Sequence, residues 1–417
     1  CLYMTGRRVV ITGIGALTPI GKTGPDFWNG LVSGKSGVRH ITHFDTDDLP
    51  TKFAGQIDNY DSNDYFERKE ARRLDQVTQY ALITADEAIR DSGIDLDKTN
   101  KDRVAVLIGT GIGGMKTFYD ESISLHESGS RRVSPFFIPM LIPDMPAGQV
   151  SIKYGFRGPN FCAVSACATG SHNIGLAFDA IRYGQADMAL CGGTESPVWR
   201  IGVAGFSAMR ALSRRNDEPH KASRPFDADR DGFVLGEGAG MFFIESLESA
   251  LKRGARIYGE IVGYGFSADA YHITAPDPDG NGVLLALNNA LDMAGIKPKD
   301  IGHINMHGTA TPLGDIAETN SIKKVFGDHA YDINLNSTKS MTGHMLGAAG
   351  AAESIATVLA IYHSTVPPTI NQETSDPECD LNYTPNEPVE RDIRYAMNNA
   401  FGFGGHNTTL VFKKFEK

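Results

Sequence analysis

The sequence predicts an α/β fold, and three features of its pattern indicate this class. Short apolar runs rich in β-branched residues end at glycine, as strands in the interior of a sheet do. Amphipathic stretches with apolar residues at helical spacing lie between these runs. Similar segments also recur in both halves of the chain. Strands that alternate with helices favour parallel sheets whose faces are covered by helices.

The predicted elements alternate from the first strand onward. A strand at residues 9–11 leads into a glycine-rich segment, and residues 80–92 carry apolar side chains at helical spacing. Gly93 follows this helix at the position where a left-handed glycine commonly ends one. Continuous apolar runs predict buried strands at residues 104–108, 188–191, 241–244 and 301–306.

An internal repeat relates the two halves. Residues 88–94 (AIRDSGI) resemble residues 290–296 (ALDMAGI), and each copy is followed by a strand that ends at glycine. Coincidence would also explain the match, because helix–glycine–strand connections are common, but the same order in both halves favours duplication. We therefore predict a first half over residues 4–250, with a candidate nucleophile, and a second half over residues 251–417, with two candidate catalytic histidines.

Composition narrows the classes of function. The 417 residues carry a net charge of −10, which argues against nonspecific binding of nucleic acid. Five scattered cysteines without a C-x-x-C pair are typical of a reducing compartment. We find no apolar run long enough for a membrane span, and polar residues near the N-terminus predict no signal peptide. We therefore expect a cytoplasmic protein.

The clearest candidate for chemistry is Cys167, in the small-residue segment 164–170. It lies between an apolar run and an amphipathic stretch, so we expect it at the amino end of a helix, where the dipole lowers the pKa of a thiol. Small neighbours permit a tight turn and let a substrate carbonyl reach backbone amides, as in a nucleophile elbow. An inert, buried cysteine is the alternative, and it is our interpretation of Cys162 and Cys191.

Two histidines occupy comparable positions. His307 follows a predicted strand, and His344 lies in a glycine-rich turn that opens a helix. Both would therefore lie at the carboxyl rim of a sheet, where α/β proteins bind ligands. The alternative is that they are ordinary core or surface histidines. A metal site is not expected, since His303 would share a strand face with His307 but no third ligand is evident.

A glycine-rich loop indicates an alternative function. Residues 109–114 (GTGIGG) match the G-x-G-x-x-G pattern after a strand, which is the context of a dinucleotide-binding loop. The acidic residue expected about twenty residues later is absent, and Arg131 and Arg132 stand there instead. Because these arginines could hold a 2′-phosphate, an NADP-dependent reductase stays open as an alternative.

Four motifs together carry a family resemblance. They are residues 165–168 (SACA), 307–309 (HGT), 339–344 (KSMTGH) and 401–405 (FGFGG). With these motifs in this order, the sequence resembles the β-ketoacyl-[acyl carrier protein] synthases, and most of all the type II condensing enzymes of bacterial fatty-acid synthesis. The resemblance implies a duplicated, five-layered α/β/α/β/α thiolase-like fold. It also implies a homodimer, acyl carrier protein as partner, and no cofactor or metal.

The activity that the resemblance implies is a decarboxylative Claisen condensation. Cys167 would take an acyl group from acyl carrier protein. His307 and His344 would donate hydrogen bonds to the enolate oxygen that forms when malonyl carrier protein loses carbon dioxide. Backbone N–H groups of Cys167 and Phe403 would form the oxyanion hole, and Phe403 would also gate the entry of the malonyl substrate.

The same resemblance assigns supporting residues. Lys339 and Glu353 would form an ion pair that orients the histidines, and Thr309 and Thr311 would bind the malonyl and pantetheine groups. The acyl pocket would be lined by Ile112, Phe137, Gly202, Phe206 and Leu346.

Carrier docking would use a basic surface. Its first three members would share one face of a helix, because they are spaced i, i+3 and i+4. The full set is Lys69, Arg72, Arg73, Arg131, Arg132 and Arg210. One departure from the type II pattern, at residues 168–170, resembles the type I enzymes, and a polyketide ketosynthase is a further alternative.

Overall fold

The computed structural model describes residues 6–416 of the chain, so residues 4–5 and 417, at the ends of the two predicted halves, lie outside it. The strands are β1 (Val9–Leu17), β2 (Val38–His40), β3 (Phe53–Gly55), β4 (Val104–Gly109), β5 (Asn160–Phe161), β6 (Met188–Glu195), β7 (Gly238–Ser246), β8 (Gly259–Ala268), β9 (Ile301–Asn305), β10 (Asn334–Asn336), β11 (Thr365–Val366), β12 (Val389–Glu390), β13 (Tyr395–Gly402) and β14 (His406–Lys413). The helices are α1 (Gly24–Val32), α2 (Arg68–Ala71), α3 (Gln76–Ser92), α4 (Met115–Ser128), α5 (Phe137–Leu141), α6 (Met145–Tyr154), α7 (Thr169–Arg182), α8 (Arg200–Ala208), α9 (Leu247–Lys252), α10 (Asn281–Ala294), α11 (Pro312–Phe326), α12 (Lys339–Thr342) and α13 (Ala349–His363).

The main sheet repeats one topology twice. Its strands lie in the order β10-β9-β13-β14-β8-β1-β7-β6-β4-β5. When each half is followed outward from the centre, the first strand is followed by the fifth, fourth, second and third strands of that half. The halves join where β1 pairs with β8 over residues 9–11 and 259–261. The internal repeat is therefore visible in the strand order, while the boundary between residues 250 and 251 stays a prediction.

The sheet is mixed rather than parallel, which corrects the sequence-based expectation. β4 pairs in parallel with β6 and β5, and β9 with β13 and β10, but β7 and β14 are antiparallel to their neighbours. β13 and β14 are joined by residues 403–405 alone, and so short a connection permits only an antiparallel pair. The sequence pattern of buried strands does not distinguish the two arrangements.

Five layers result from the way the helices pack. α3 lies against β1, β7 and β6, and α10 lies against β8 and β14, so each covers the outer face of its half. α7 and α13 lie between the halves, because α7 contacts β6, β4 and β14 while α13 contacts β13 and β7. These two central helices begin immediately after the segments that carry the candidate nucleophile and His344.

Glycine lets the outer helices approach their strands equally closely in both halves. A Cβ atom on Gly15 would lie 2.0 Å from the carbonyl oxygen of Thr84, and one on Gly265 would lie 1.8 Å from that of Ala286. No side chain fits at such distances, so both positions need glycine. Within residues 6–416, no helix has the length and apolarity that crossing a bilayer requires.

Candidate active site

One cavity of about 710 Å³ collects the candidate catalytic groups from both halves. Cys167 reaches it from the turn before α7, and His307 from the segment after β9. His344 enters from the segment between α12 and α13, and Phe403 from the connection between β13 and β14. Residues far apart in sequence therefore share one cavity.

A tight turn positions the nucleophile candidate. Ala166 has a φ of 50°, which is uncommon for a residue with a side chain, and residues 166–168 form one 3₁₀ turn that leads into α7. The Thr169 hydroxyl accepts a hydrogen bond from the N–H of Ser165 at 2.9 Å and holds the turn closed. Gly402 lies against this turn, since a Cβ there would be 2.5 Å from the carbonyl oxygen of Ser165. The turn thus presents Cys167 to the cavity.

The thiol is held in its protonated form by its surroundings. Burial raises the pKa of Cys167 to about 12, although the positive charge of Lys339 and the N–H of Phe403, which donates to the sulfur, lower it. The lowered pKa expected from the helix dipole is therefore wrong for the free protein, because loss of hydration outweighs the dipole. The nearest proton acceptor is the Nε2 atom of His344, 3.1 Å from the sulfur.

The two histidines are neighbours, and both are neutral at physiological pH. Their ring centroids are 5.4 Å apart and their planes are nearly perpendicular. Burial lowers the pKa of His307 and of His344 well below the ordinary histidine value, and the nearby charge of Lys339 lowers both further. Each imidazole therefore carries one N–H group and one free lone pair, which suits hydrogen bonding to a developing anion.

A buried ion pair lies behind the histidines. The Nζ atom of Lys339 is 2.5 Å from a carboxylate oxygen of Glu353 and 3.5 Å from Nδ1 of His307, and the two charged side chains are almost fully buried. Burial raises the pKa of Glu353 to about 7, while the charge of Lys339 opposes this rise. The pair implied by the family resemblance is therefore present in the structure.

Two buried carboxylates that the sequence analysis missed hold the site's backbone. Glu318 on α11 accepts hydrogen bonds from the N–H groups of His307 and Gly308, both at 2.9 Å. Glu195, at the end of β6, lines the cavity. An acidic residue four positions after the apolar run 188–191 was a usable signal for Glu195, whereas nothing in the sequence marked Glu318.

Two family models match the chain. The model of the β-ketoacyl synthase N-terminal domain matches residues 6–250, and that of the β-ketoacyl synthase C-terminal domain matches residues 258–373. The chain belongs to the β-ketoacyl synthase family.

Curated relatives agree with this assignment. The chain is 54% identical over 410 residues to 3-oxoacyl-[acyl-carrier-protein] synthase 2 of Staphylococcus aureus (strain COL), which covers 98% of this chain and 99% of the relative. It is 51% identical, with the same coverage, to the 3-oxoacyl-[acyl-carrier-protein] synthase 2 of Synechocystis sp..

A solved structure agrees as well. It is a type II polyketide synthase acyl carrier protein in complex with its ketosynthase, and the matched chain has a TM-score of 0.92 and 35% identity, with 99% of this chain and all of that chain covered. The predicted five-layered, thiolase-like fold is confirmed.

Three of the five residues predicted for the acyl pocket of this β-ketoacyl synthase line the cavity. Ile112, Phe206 and Leu346 line the cavity. Gly202 does not, because it lies on α8, where a Cβ would be 2.2 Å from the carbonyl oxygen of Pro197. Phe137 on α5 is not in the lining either, and its ring stacks on Phe118 instead.

The predicted pantetheine-binding threonines line the same cavity. The hydroxyl oxygens of Thr309 and Thr311 are 3.0 Å apart and part of each side chain is accessible. They follow His307 directly in the chain, so hydroxyl groups flank the route to the histidines.

The predicted docking residues are exposed, but the prediction that Lys69, Arg72 and Arg73 share one face of a helix is wrong. Helix α2 ends at Ala71, with Arg72 as its cap, and Arg73 lies beyond it. The chain turns there because Asp75 caps the next helix, its side chain accepting from the N–H of Val77. Lys69 therefore lies on α2, while Arg72 and Arg73 lie in the exposed turn that follows it.

The remaining docking residues lie in two places. Arg131 and Arg132 belong to an exposed 3₁₀ turn after α4. Arg210 is exposed and lines the mouth of the cavity.

The dinucleotide-binding alternative is wrong. The N–H groups of Gly111 and Ile112, which a phosphate would need, donate to the carboxylate of Glu195 at 2.8 and 3.2 Å. A second anion at these amides would meet the buried negative charge of that carboxylate. The glycine-rich loop therefore serves the cavity wall and not a phosphate.

The effect of Lys339 on the histidines can be measured directly. Replacing Lys339 with methionine removes the buried positive charge, so protonation of the rings becomes less unfavourable and the pKa of His344 and of His307 rises. We expect both imidazoles of the variant to become protonated at a higher pH than those of the wild-type protein. An NMR titration of the imidazole signals measures this difference. Lys413→Met, on β14, is the control and should change neither ring. Identical titrations in Lys339→Met and the wild type would contradict this account.

Proposed function

We propose that the protein catalyses decarboxylative Claisen condensation of an acyl group held on Cys167 with malonyl-acyl carrier protein, giving 3-oxoacyl-acyl carrier protein in fatty-acid chain elongation. One observation carries the proposal: a single cavity holds a thiol 3.1 Å from one neutral imidazole, with a second imidazole beside it. The curated relatives at 54% and 51% identity bear names of this activity.

Acyl transfer to Cys167 is the first half-reaction. The thiol proton passes to Nε2 of His344 as the sulfur attacks the acyl thioester, and the carrier's thiolate leaves and recovers a proton from the imidazole. One thioester bond breaks and another forms, so the acyl group stays activated for onward transfer. The N–H groups of Cys167 and Phe403 stabilise the tetrahedral oxyanion.

Decarboxylation and condensation form the second half-reaction. The bond between the malonyl methylene carbon and its carboxylate breaks, carbon dioxide leaves, and the electron pair moves toward the thioester oxygen. His307 and His344 stay neutral in this step and donate N–H hydrogen bonds to that oxygen. His344 does so in the tautomer that carries its hydrogen on Nε2, the nitrogen that accepts the thiol proton in the first half-reaction. The enolate carbon then attacks the acyl thioester, a carbon–carbon bond forms and the carbon–sulfur bond to Cys167 breaks. The sulfur leaves as a thiolate and takes a proton from water to restore the thiol.

Phe403 is suited to gate the second substrate. Its neighbours Gly404 and Gly405 have φ values of 90° and 74°, which glycine adopts without strain. Rotation of this connection would move the Phe403 ring while the strands on either side stay paired. The malonyl group would then enter past Thr309 and Thr311.

The carrier would dock on the basic residues around the cavity. Arg210 is at the mouth, and Arg73 lies over the ring of Phe136 at 4.8 Å, close to the segment that carries Arg131 and Arg132. A carrier of strong negative charge would be attracted there despite the net charge of −10. The ketosynthase of the solved structure is in complex with its acyl carrier protein. We place this reaction in the cytoplasm.

A second copy of the chain is the proposed partner at the β5 edge. β5 is the last strand of the main sheet, and both of its residues are exposed. Large apolar side chains near it are also exposed, namely Phe118, Leu125, Phe136, Ile138, Phe161 and Val164. An open edge beside apolar groups is suited to pairing with the same strand of another copy. Phe137, which does not reach its own cavity, would lie at this interface.

The nucleophile is tested by substitution. Cys167→Ala and Cys167→Gln should form no acyl-enzyme, as seen in the mass of the intact protein after incubation with acyl carrier, because the attacking sulfur is gone. Cys167→Gln should still release carbon dioxide from malonyl carrier, since both histidines remain. Cys162→Ala, which removes a neighbouring thiol, should acylate normally. Full condensing activity in either Cys167 variant would rule out the mechanism.

Carrier docking is tested by reversing charge. The triple change Lys69→Glu, Arg72→Glu and Arg73→Glu should weaken carrier binding about tenfold at low salt, and less at high salt, because exposed charges are screened. The matched control reverses three exposed lysines elsewhere, Lys252, Lys297 and Lys299, and should leave the affinity within about twofold. Equal affinities for the two triple variants, measured by titration calorimetry, would place the docking surface elsewhere.

The dimer is tested by placing charge at the proposed interface. Ile138→Asp should shift the mass measured by light scattering from that of two chains to that of one, because a carboxylate would be buried there without a partner. Leu251→Asp, at a similarly exposed apolar residue on α9, should stay dimeric. A wild-type protein with the mass of one chain would exclude the dimer.

A further inference from the structure

Glu195 is a buried carboxylate that the proposed mechanism does not use. It ends β6, is 1% exposed and lines the cavity. Within residues 6–416, no lysine or arginine lies within ion-pair distance of it, unlike Glu353, which pairs with Lys339. A carboxylate without a cation is costly to bury unless hydrogen bonds satisfy it, so its donors identify its role.

All four of its hydrogen bonds come from two walls of the cavity. One oxygen accepts from the hydroxyl of Thr110 at 2.6 Å and the N–H of Ile112 at 3.2 Å. The other accepts from the N–H groups of Gly111 and Gly347, both at 2.8 Å. The first three donors belong to the loop after β4, while Gly347 belongs to the turn before α13. A single side chain therefore ties the loop to the turn.

The tied segments carry two side chains of the acyl pocket. Ile112 lies in the loop, and Leu346 precedes Gly347 in the turn, and both line the cavity. The approach depends on the absence of side chains, since a Cβ on Gly347 would lie 2.5 Å from the Glu195 carboxylate and 2.4 Å from the nitrogen of Gly111. This one carboxylate therefore bridges the segments that carry Ile112 and Leu346.

We propose that Glu195 is a positioning residue that sets the acyl-chain-length selectivity of Cys167 acylation by holding the Ile112 loop against the Leu346 turn. The inference rests on the proposed function, because it assumes that the cavity receives the acyl chain. A long chain must extend between both walls and gains its apolar contact from their fixed spacing. A short chain has less apolar surface to place between the walls and gains less from that spacing. Loosening the walls therefore affects long chains more than short ones.

The test compares acylation across chain length. Glu195→Gln keeps the shape of the side chain but turns one oxygen into an NH₂ group. This group faces either the N–H of Ile112 in the loop or the N–H groups of Gly111 and Gly347 in both walls, so at least one hydrogen bond of the tie is lost in either orientation. We expect kcat/KM for acylation by a long acyl carrier to fall about tenfold relative to that for a short one. The rates come from the mass of the acylated protein over time. Thr110→Val, which removes one donor and keeps the shape, should shift the ratio in the same direction by less.

The matched control is Glu87→Gln. Glu87 on α3 also accepts from two backbone N–H groups, those of Ala16 and Gly24, but it is not in the cavity lining. Glu87→Gln should leave unchanged the ratio of kcat/KM for the long acyl carrier to kcat/KM for the short one. An unchanged ratio in Glu195→Gln, or an equal loss at all lengths, would overturn the proposal.

A variant that does not fold and a proposed function that is wrong give different results. If Glu195→Gln does not fold, as judged by its thermal melting, Thr110→Val decides, and an unchanged ratio there would overturn the proposal. Failure of the proposed function would appear in the wild-type arm, as no acylation of Cys167 at any chain length.

Discussion

The burial of the Lys339 ammonium group is the constraint on which the rest of the site depends. A charge inside a protein needs a partner, and Glu353 supplies it at 2.5 Å. The same charge lies 3.5 Å from Nδ1 of His307, where it opposes protonation of both imidazoles. Neutral rings can donate hydrogen bonds and can also accept a proton. The buried charge of Lys339 therefore keeps the imidazoles in the form that both proposed half-reactions use.

Burial favours the neutral form of the nucleophile as it does for the imidazoles, but for a thiol this raises the pKa instead of lowering it. It raises the pKa of Cys167 to about 12, so the resting enzyme holds a thiol and not a thiolate. A permanently charged sulfur would react with any electrophile that entered the cavity, whereas in the proposed mechanism the thiol reacts only when His344 removes its proton at the moment of attack. Reactivity is therefore coupled to the presence of a thioester in the right place, with the oxyanion donors around it.

The sequence predicted those features that are local in the chain. Gly93 ends its helix with a φ of 64°, as expected, and the small residues around Cys167 do form a tight turn before a helix. Features that depend on distant contacts were not predictable. The helix expected through Arg73 stops at Ala71, and the pKa of Cys167 depends on burial by residues from both halves. Glu318 satisfies amides that precede it by ten or more positions, and no spacing rule in the sequence points to such a contact.

The order of the catalytic residues along the chain has a consequence for synthesis in the cell. Cys167 lies on the first copy of the repeated topology, and both histidines lie on the second. A nascent chain that has left the ribosome only as far as β7 carries a sulfur without a base to activate it. The cavity that brings the thiol and the imidazoles together therefore forms only after both copies have been translated and folded.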